Sequence, residues 1–167
     1  MPRSLWLPPG VAGRVSLHSM PGANGSFDDF LAWAAAGNLD AVICLNPGHE
    51  LRRLSPIYAE GVEKQSLPWR VLHFPIDDFG VPDDPSEYVD FVLALARQVR
   101  DGDHVLIHCM MGIGRTGTTA AALLMALGVG RQEACRRVSE AGSQAESALQ
   151  RELLELIAQC FEAEPPN

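Results

Sequence analysis

The 167-residue sequence lacks the features of several classes of protein. No apolar run approaches the roughly 20 residues that a membrane-spanning helix needs. The first residues, Met1 to Pro9, lack the apolar centre of a signal peptide. The net charge of −8 disfavours binding to nucleic acid or to an anionic membrane surface. We therefore expect a cytoplasmic, monomeric protein that binds neither nucleic acid nor membrane.

Cysteine is scarce and irregularly spaced. The four cysteines are Cys44, Cys109, Cys135 and Cys160, and no pair forms a Cys-x-x-Cys motif. Their spacing fits no zinc pattern, so we expect no bound metal, and no other pattern indicates a cofactor. In a reducing compartment the cysteines should be mostly free thiols.

Apolar patterns typical of strands alternate with patterns typical of helices. Strands are predicted near 11–17, 41–45, 71–76 and 104–108, and helices near 27–36, 48–54, 55–63, from Ser86 to the turn at 101–103, and near 115–127, 131–141 and 146–162. The alternation predicts an α/β fold: a single domain over 1–167 with a mainly parallel central sheet of about four to five strands and helices on both faces. Residues 1–10 are expected to wrap the surface, and 162–167 to form a loose tail.

The most informative pattern lies at residues 108–117, which read His-Cys-Met-Met-Gly-Ile-Gly-Arg-Thr-Gly. It follows a predicted strand and opens a predicted helix. It offers the thiol of Cys109, then five residues that need only supply backbone N–H groups, then the guanidinium of Arg115. Amides at a helix N-terminus together with an arginine form a site for a tetrahedral dianion. A thiolate placed beside that dianion can attack it.

The glycines of this segment also match a different motif. Gly112, Gly114 and Gly117 spell G-x-G-x-x-G, the dinucleotide-binding pattern. That pattern opens a βαβ unit, so a second strand should follow the helix. Only helices are predicted after Gly117, which disfavours dinucleotide binding.

The segment 108–117 resembles the signature loop of the cysteine-based protein tyrosine phosphatases. Residues 74–82, Phe-Pro-Ile-Asp-Asp-Phe-Gly-Val-Pro, resemble the general-acid loop of compact dual-specificity phosphatases. Within that family the sequence most resembles the group of the cyclin-dependent-kinase-associated and regenerating-liver phosphatases. Residues 44–51 are similar to a strand end in the kinase-associated members, where a cysteine precedes a Glu-Leu pair. The resemblance implies hydrolysis of phosphate monoesters, on phosphotyrosine and phosphoserine or phosphothreonine of proteins, through a phosphocysteine intermediate.

Three other functions stay open at this stage. The substrate can instead be a small phosphorylated metabolite or an inositol phosphate, although residues 110–114 lack the lysines of the inositol-lipid phosphatases. The domain can bind phosphate without catalysis. A thiol redox or sulfur-transfer enzyme is disfavoured, because no second cysteine lies near Cys109 in the sequence.

The resemblance implies a role for each residue of the motif. Cys109 is the expected nucleophile, because a helix N-terminus and a neighbouring cation favour the thiolate. The backbone of Met110, Met111, Gly112, Ile113 and Gly114 is expected to bind phosphate. Arg115 should grip two phosphate oxygens, which a lysine cannot do. Asp78 is the expected general acid, with Asp77 as the alternative.

Four further residues are assigned supporting roles. His108 is expected to bond to the backbone and orient the loop. Thr116 either donates its hydroxyl to the Cys109 sulfur or is an ordinary first-turn residue. Gln150, or else Gln144, corresponds to the family's water-positioning glutamine. Cys44 either packs in the core or acts as a resolving thiol for an oxidised Cys109.

Overall fold

A computed structural model describes residues 1–166 of the chain. The strands are β1 (Arg3–Ser4), β2 (Arg14–Ser19), β3 (Ala41–Cys44), β4 (Arg70–His73) and β5 (His104–Cys109). The helices are α1 (Phe27–Ala36), α2 (Gly48–Leu54), α3 (Pro56–Glu63), α4 (Pro85–Arg100), α5 (Gly114–Ala126), α6 (Arg131–Glu140) and α7 (Ala148–Ala163).

The five strands form one sheet in the order β1-β2-β5-β3-β4. The pairs β2–β5, β5–β3 and β3–β4 are parallel, and β1 alone is antiparallel to its neighbour. Every residue of the central strand β5 is buried. The α/β fold class and the mainly parallel sheet predicted from the sequence are therefore confirmed.

Helices cover both faces of the sheet. Ala41 and Ile43 of β3 face a core that includes residues of α4, α5, α6 and α7. Val42 packs with residues of α1 on the other face, where Cys44 packs with Leu51 of α2 and Tyr58 of α3. This alternation within one strand produces the run of consecutive buried residues typical of a parallel sheet. Within residues 1–166 no strand follows α5, so the structure excludes the dinucleotide-binding βαβ unit.

The parallel register brings three strand ends to one edge of the sheet. Cys44, at the end of β3, lies opposite both His73 of β4 and His108 of β5. Cys109 ends β5, and the loop with Asp77 and Asp78 follows β4. Ligands of open α/β sheets bind beyond such carboxyl ends. The topology therefore places the phosphate-loop motif and the acidic loop at the same edge.

The chain termini differ in part from the prediction. Residues 1–10 contain the short strand β1, in which Arg3 pairs with Leu17 and Ser4 with Ser16. The predicted first strand, 11–17, is shifted to 14–19, and the strand predicted at 71–76 spans 70–73. The expected tail at 162–167 begins later, because α7 continues to Ala163. The last residue of that tail, Asn167, lies outside the described residues.

The N-cap of α4 also differs from the predicted Ser86. The Asp84 carboxylate accepts hydrogen bonds from the N–H groups of Ser86, at 2.8 Å, and Glu87, at 3.2 Å. Pro85 then occupies the first helical position, where its missing N–H costs nothing. Aspartate is the better cap because its carboxylate carries a negative charge at the positive end of the helix.

This cap can be tested by two substitutions in the same turn. Asp84→Ala should lower the free energy of unfolding by about 1 kcal/mol, because two N–H groups of α4 lose their acceptor. Ser86→Ala should leave it nearly unchanged. Urea denaturation at neutral pH measures both variants, and an equal loss for the two would contradict the assignment.

Candidate active site

The loop between β5 and α5 turns its carbonyl oxygens away from its centre. The Met110 oxygen accepts from the N–H of Met20 at 3.1 Å, and the Gly112 oxygen accepts from the hydroxyl of Ser143 at 2.7 Å. The N–H groups of residues 111, 112 and 113 have no acceptor in the described part of the chain. Outward carbonyls with uncommitted amides form the kind of concave nest that binds anions.

Glycine is required at the turn of this loop. Gly112 has φ +71°, in the left-handed region that favours glycine. A Cβ atom at this position would lie 2.3 Å from the backbone oxygen of His18. This oxygen belongs to the paired backbone of β2, so it cannot move aside. The loop therefore packs directly against the end of β2, with no side chain between them.

Arg115, at the start of α5, is the largest of the fully buried side chains. Nη1 donates to Glu50 at 3.1 Å and to the backbone oxygen of Ile76 at 2.9 Å, and Nη2 donates to the second oxygen of Glu50 at 3.1 Å. These bonds use three of the five N–H groups of a guanidinium. Nε has no partner among the described residues. The remaining edge, Nε and Nη2, has the geometry that grips two oxygens of one phosphate.

Glu50 is the buried carboxylate that orients this guanidinium. Its second oxygen also accepts from Nδ2 of Asn46 at 2.7 Å. Burial alone would raise the pKa of Glu50, but the hydrogen bonds from Arg115 and Asn46 outweigh it and lower the pKa below 4.5. Glu50 is therefore an anion at neutral pH, and it offsets the cost of burying the Arg115 charge.

His108 is a neutral, fully buried support of the loop. Burial lowers its pKa to about 3. Nδ1 lies 3.4 Å from the backbone oxygen of Cys109, and Nε2 lies 2.8 Å from the hydroxyl of Tyr58. Because the carbonyl only accepts, Nδ1 carries the proton and Nε2 accepts from Tyr58. The bond to the backbone agrees with the role predicted for His108.

The loop after β4 brings Asp78 to the site. Asp78 Oδ1 lies 3.1 Å from Nη2 of Arg115, and about half of its side chain is exposed. Asp77 instead closes the turn, because its backbone oxygen accepts from the N–H of Gly80 at 2.9 Å. Phe79 between them adopts φ +58°, a strained value for a bulky residue. This turn presents the Asp78 carboxylate to Arg115.

Gln150 ties helix α7 to the same loop. Its Oε1 accepts from the N–H groups of Glu146 and Ser147, at 2.8 and 3.3 Å, which forms the N-terminal capping box of α7. Its Nε2 donates to the backbone oxygen of Gly80 at 3.3 Å. These bonds give Gln150 a structural role, and its water-positioning role stays a prediction. The backbone N–H of the alternative, Gln144, donates to Ile113 at 3.3 Å.

Thr116 and Cys44 do not contact the reactive sulfur. The hydroxyl of Thr116 is buried and has no partner in the described part of the chain, so the predicted bond to Cys109 is not formed. Cys44 and Cys109 pack in core clusters on opposite faces of the sheet. Burial raises the pKa of Cys44 to about 12, so its thiol is protonated at neutral pH.

The site thus combines a buried cysteine, a ring of amides and an arginine held by a carboxylate, which defines the class of cysteine-dependent phosphatases. A family model described as the Swiss Army Knife protein, DSP-PTPase phosphatase domain, matches residues 19–163. The chain belongs to this family of dual-specificity and tyrosine phosphatase domains. The resemblance noted in the sequence is therefore confirmed.

Individual relatives agree with this assignment. Tyrosine-protein phosphatase non-receptor type 4 of Mus musculus is 36% identical over 74 residues, which are 43% of this chain and 8% of that protein. Tyrosine-protein phosphatase 1 of Caenorhabditis elegans is 46% identical over 54 residues, 28% of this chain and 5% of that protein. The matched segment is therefore less than a tenth of the length of these curated relatives.

Two solved structures are similar over almost the whole chain. Tk-PTP in its active form has 30% identity and a TM-score of 0.71, and the match covers 94% of this chain and 97% of that one. Kinase associated phosphatase, with its catalytic-site cysteine replaced by serine, has a TM-score of 0.83 at 18% identity, with coverages of 98% and 97%. The second likeness concerns the fold alone.

The described residues were also compared with the requirements of a metal site and of a membrane span. Among residues 1–166, no group of three or more histidine, cysteine or acidic side chains is placed to hold a metal ion. None of the helices described is both long and apolar enough to cross a membrane.

Glu50 and Tyr58 were missed as site residues by the sequence analysis. Glu50 was noted only as part of a Glu-Leu pair in a strand-end resemblance. Its partner, Arg115, is 65 residues away in the chain. One sequence feature does point to Glu50: it is a carboxylate on the short helix that follows a buried strand, at the sheet edge where Cys109 is expected.

The Glu50–Arg115 pair predicts a pH-dependent stability. A carboxylate with a folded pKa below its unfolded value stabilises the fold above the unfolded pKa, and this contribution is lost as pH falls. Glu50→Gln should therefore cost about 3 kcal/mol or more near pH 7, because the buried guanidinium loses its partner. The difference from wild type should shrink below pH 4.5.

Urea denaturation at pH 7 and at acidic pH measures this difference. Glu63→Gln is the matched control, because Glu63 pairs with Arg52 on an exposed surface. A penalty for Glu50→Gln that is the same at both pH values would contradict the assigned role of the carboxylate.

Proposed function

We propose that this domain hydrolyses phosphate monoesters through a phosphocysteine intermediate. One observation carries the proposal: the uncommitted amides of residues 111–113 and the free edge of Arg115 lie around the loop that begins at Cys109. These N–H groups are hydrogen-bond donors, and the guanidinium is positively charged, which suits the non-bridging oxygens of a phosphate dianion. Cys109 is the nucleophile, Arg115 binds phosphate, and Asp78 is the general acid.

Phosphate binding uses the groups that the protein leaves free. The loop amides take two or three of the non-bridging oxygens, and Nε and Nη2 of Arg115 take two of them from the side. Glu50 and Ile76 hold the opposite edge of the guanidinium, so that it needs no reorientation when substrate arrives. This preorganisation stabilises the transition state more than a mobile arginine would.

The reaction then proceeds in two displacements at phosphorus. The Cys109 sulfur forms the S–P bond while the ester P–O bond breaks, and the leaving oxygen takes a proton from Asp78. Water next attacks phosphorus, its proton passes to the Asp78 carboxylate, and the S–P bond breaks to return the thiolate. Inorganic phosphate leaves, and the alcohol or phenol has already departed. No external oxidant, reductant or metal enters this sequence.

The geometry supports Asp78 over Asp77 as the acid. Asp78 Oδ1 lies 3.1 Å from Nη2 of Arg115, next to the position where the phosphate would lie. Asp77 has its backbone committed to the turn with Gly80, and it forms no ion pair with Arg115 among the described contacts. Bound phosphate brings negative charge to this position and favours the protonated form of a nearby carboxyl.

We infer that the substrates are phosphorylated proteins, on phosphotyrosine and on phosphoserine or phosphothreonine. Two exposed apolar side chains belong to the loops of the site, Phe79 at 58% exposure and Met111 at 53%. They suit an aromatic or peptide substrate better than a highly charged inositol phosphate. A small phosphate ester is the alternative substrate, and phosphate binding without catalysis is the alternative function.

We also propose that the protein is a monomer in a reducing cytoplasm, which agrees with its four free cysteines.

The resolving-thiol role of Cys44 stays a prediction. Its Cα lies opposite that of His108, one residue from Cys109, which is close enough along the sheet for a disulfide to be considered. The two thiols, however, lie on opposite faces of the sheet. A disulfide would require the backbone at one of the two strand ends to rotate, so we favour core packing for the reduced protein.

The covalent step can be tested at Cys109. Cys109→Ser should abolish hydrolysis of p-nitrophenyl phosphate, because a hydroxyl does not ionise at neutral pH as a thiol can. Vanadate should still bind, since the amides and Arg115 remain, and isothermal titration calorimetry measures this. Cys160→Ser, at an exposed cysteine, is the control that should keep full activity. More than trace turnover by Cys109→Ser would exclude the phosphocysteine route, and retained vanadate binding by an inactive wild type would indicate a binding module.

The general acid can be tested by paired substitutions. Asp78→Asn should lower kcat by about 10²- to 10⁴-fold for alkyl or phenyl phosphates, the usual contribution of a general acid. The loss should be smaller for p-nitrophenyl phosphate, whose leaving group needs little protonation, and the basic limb of the pH profile should flatten. Asp77→Asn is the matched control. The opposite pattern would assign the acid to Asp77.

A further inference from the structure

Arg3 contacts the outer side of the phosphate-binding loop from the first strand. Its Nη2 donates to the backbone oxygen of Gly112 at 2.6 Å and to the hydroxyl of Ser143 at 3.2 Å. Its Nη1 donates to the backbone oxygen of Gly142. The Ser143 hydroxyl donates to the same Gly112 oxygen. Two side chains, distant in sequence, thus converge on one carbonyl of the loop.

We propose that Arg3 is a positioning residue, which fixes the Gly112–Ile113 peptide so that its N–H points into the phosphate site, and which adds a second cation on the outer side of this loop. This inference rests on the proposed function. Nothing in the sequence patterns singled out Arg3, which was expected only to be part of a surface-wrapping segment.

The geometry of the peptide unit links the Gly112 oxygen to the Ile113 N–H. In a trans peptide the C=O of one residue and the N–H of the next point in opposite directions. Fixing the Gly112 oxygen outward therefore turns the Ile113 N–H inward, and that N–H has no other acceptor among the described residues. A peptide that follows a glycine at φ +71° has low steric barriers to rotation, so the outer hydrogen bonds determine its orientation.

Arginine suits this position better than lysine. The guanidinium meets three acceptors, the two backbone oxygens of Gly112 and Gly142 and the hydroxyl of Ser143, with a planar array of N–H groups. A lysine ammonium offers one nitrogen and cannot span them in the same geometry. A charged donor also forms a stronger bond to a carbonyl than the neutral Ser143 hydroxyl does.

Electrostatics link Arg3 to the reactive thiol. Burial lowers the pKa of Arg3, and the negative charge of Cys109 opposes this shift. The Arg3 guanidinium donates to the Gly112 oxygen, three residues after Cys109, and so brings a positive charge to the outer side of the loop. Cys109 likewise contributes to the raised pKa of Arg115, after burial and the bond to Glu50 are counted. The segment that begins at Cys109 therefore has the Arg3 guanidinium on its outer side, in addition to Arg115 at its end.

If the Arg3 side chain had only a structural role, that role would be to attach β1 to the rest of the domain. The backbone pairing of Arg3 and Ser4 with β2 already supplies that attachment and does not depend on the side chain. Arg14 provides the comparison, because it lies on the adjacent strand β2 and its Nη2 donates to the backbone oxygen of Gly37 at 2.7 Å, away from the loop. The two arginines differ in whether their acceptor belongs to the phosphate site.

The test compares Arg3→Ala, Arg3→Lys and Arg14→Ala in the full chain. The first readout is the rate at which iodoacetamide alkylates Cys109 as a function of pH, measured by peptide mass spectrometry. The exposed Cys160 in the same sample is an internal reference. This readout does not require phosphatase activity, so it remains informative if the wild type hydrolyses no phosphate ester. The second readout is kcat and KM for p-nitrophenyl phosphate, and the third is the melting temperature.

Arg3→Ala should shift the Cys109 alkylation profile to higher pH and lower kcat/KM by about 10- to 100-fold, the range expected when a charged hydrogen bond is lost. Arg3→Lys should restore the alkylation profile in part, through its charge, but not the lost kcat/KM. Ser143→Ala, which keeps Arg3 on the carbonyl, should have a smaller effect. Arg14→Ala should match the wild type in both readouts. A wild-type alkylation profile and wild-type kcat/KM in Arg3→Ala would overturn the proposal. So would an activity loss that merely follows the loss of folded protein.

Discussion

The site depends on one buried ion pair, between Arg115 and Glu50. Arg115 is almost fully enclosed, and a charge in such a place is unfavourable unless it is paired and hydrogen-bonded. Glu50 takes one edge of the guanidinium with both oxygens, and Ile76 takes a further N–H. The other edge is thereby left free in a fixed orientation. The buried ion pair of the core therefore also orients the guanidinium that the proposed phosphate would contact.

The same division between outer and inner contacts extends around the loop. Outer contacts hold the carbonyls of Met110, Gly112 and Ile113, and they come from Met20 just after β2, from the segment after α6 and from β1. The inner side carries the amides. A backbone fixed in this way needs little reorganisation when charge develops on a bound phosphoryl group, which is the main source of electrostatic catalysis. Rigidity at this loop is thus a functional property and not only a stabilising one.

Local sequence patterns were sufficient for the parts of the site that are contiguous in the chain. The spacing of Cys109, the glycines and Arg115 predicts the loop, because a thiol and a guanidinium separated by five residues between a strand and a helix have few other uses. The alternation of strands and helices predicts that Asp78 reaches the same edge. The partners Glu50 and Arg3 depend instead on the packing of distant segments: α2 against α5, and β1 against the loop. A motif does not encode such contacts, so they needed the structure.

The position of Asp78 connects this framework to the chemistry. Its carboxylate lies beside the Nη2 group of Arg115 that the proposed phosphate also uses. In the proposed mechanism, an arriving phosphate dianion therefore competes with the Asp78 carboxylate for this guanidinium. The bond from Gln150 to Gly80 limits how far the loop can move in response. If Asp78 is the general acid, as proposed, substrate binding and proton donation are coupled, because the carboxylate and the phosphate use the same position beside Nη2 of Arg115.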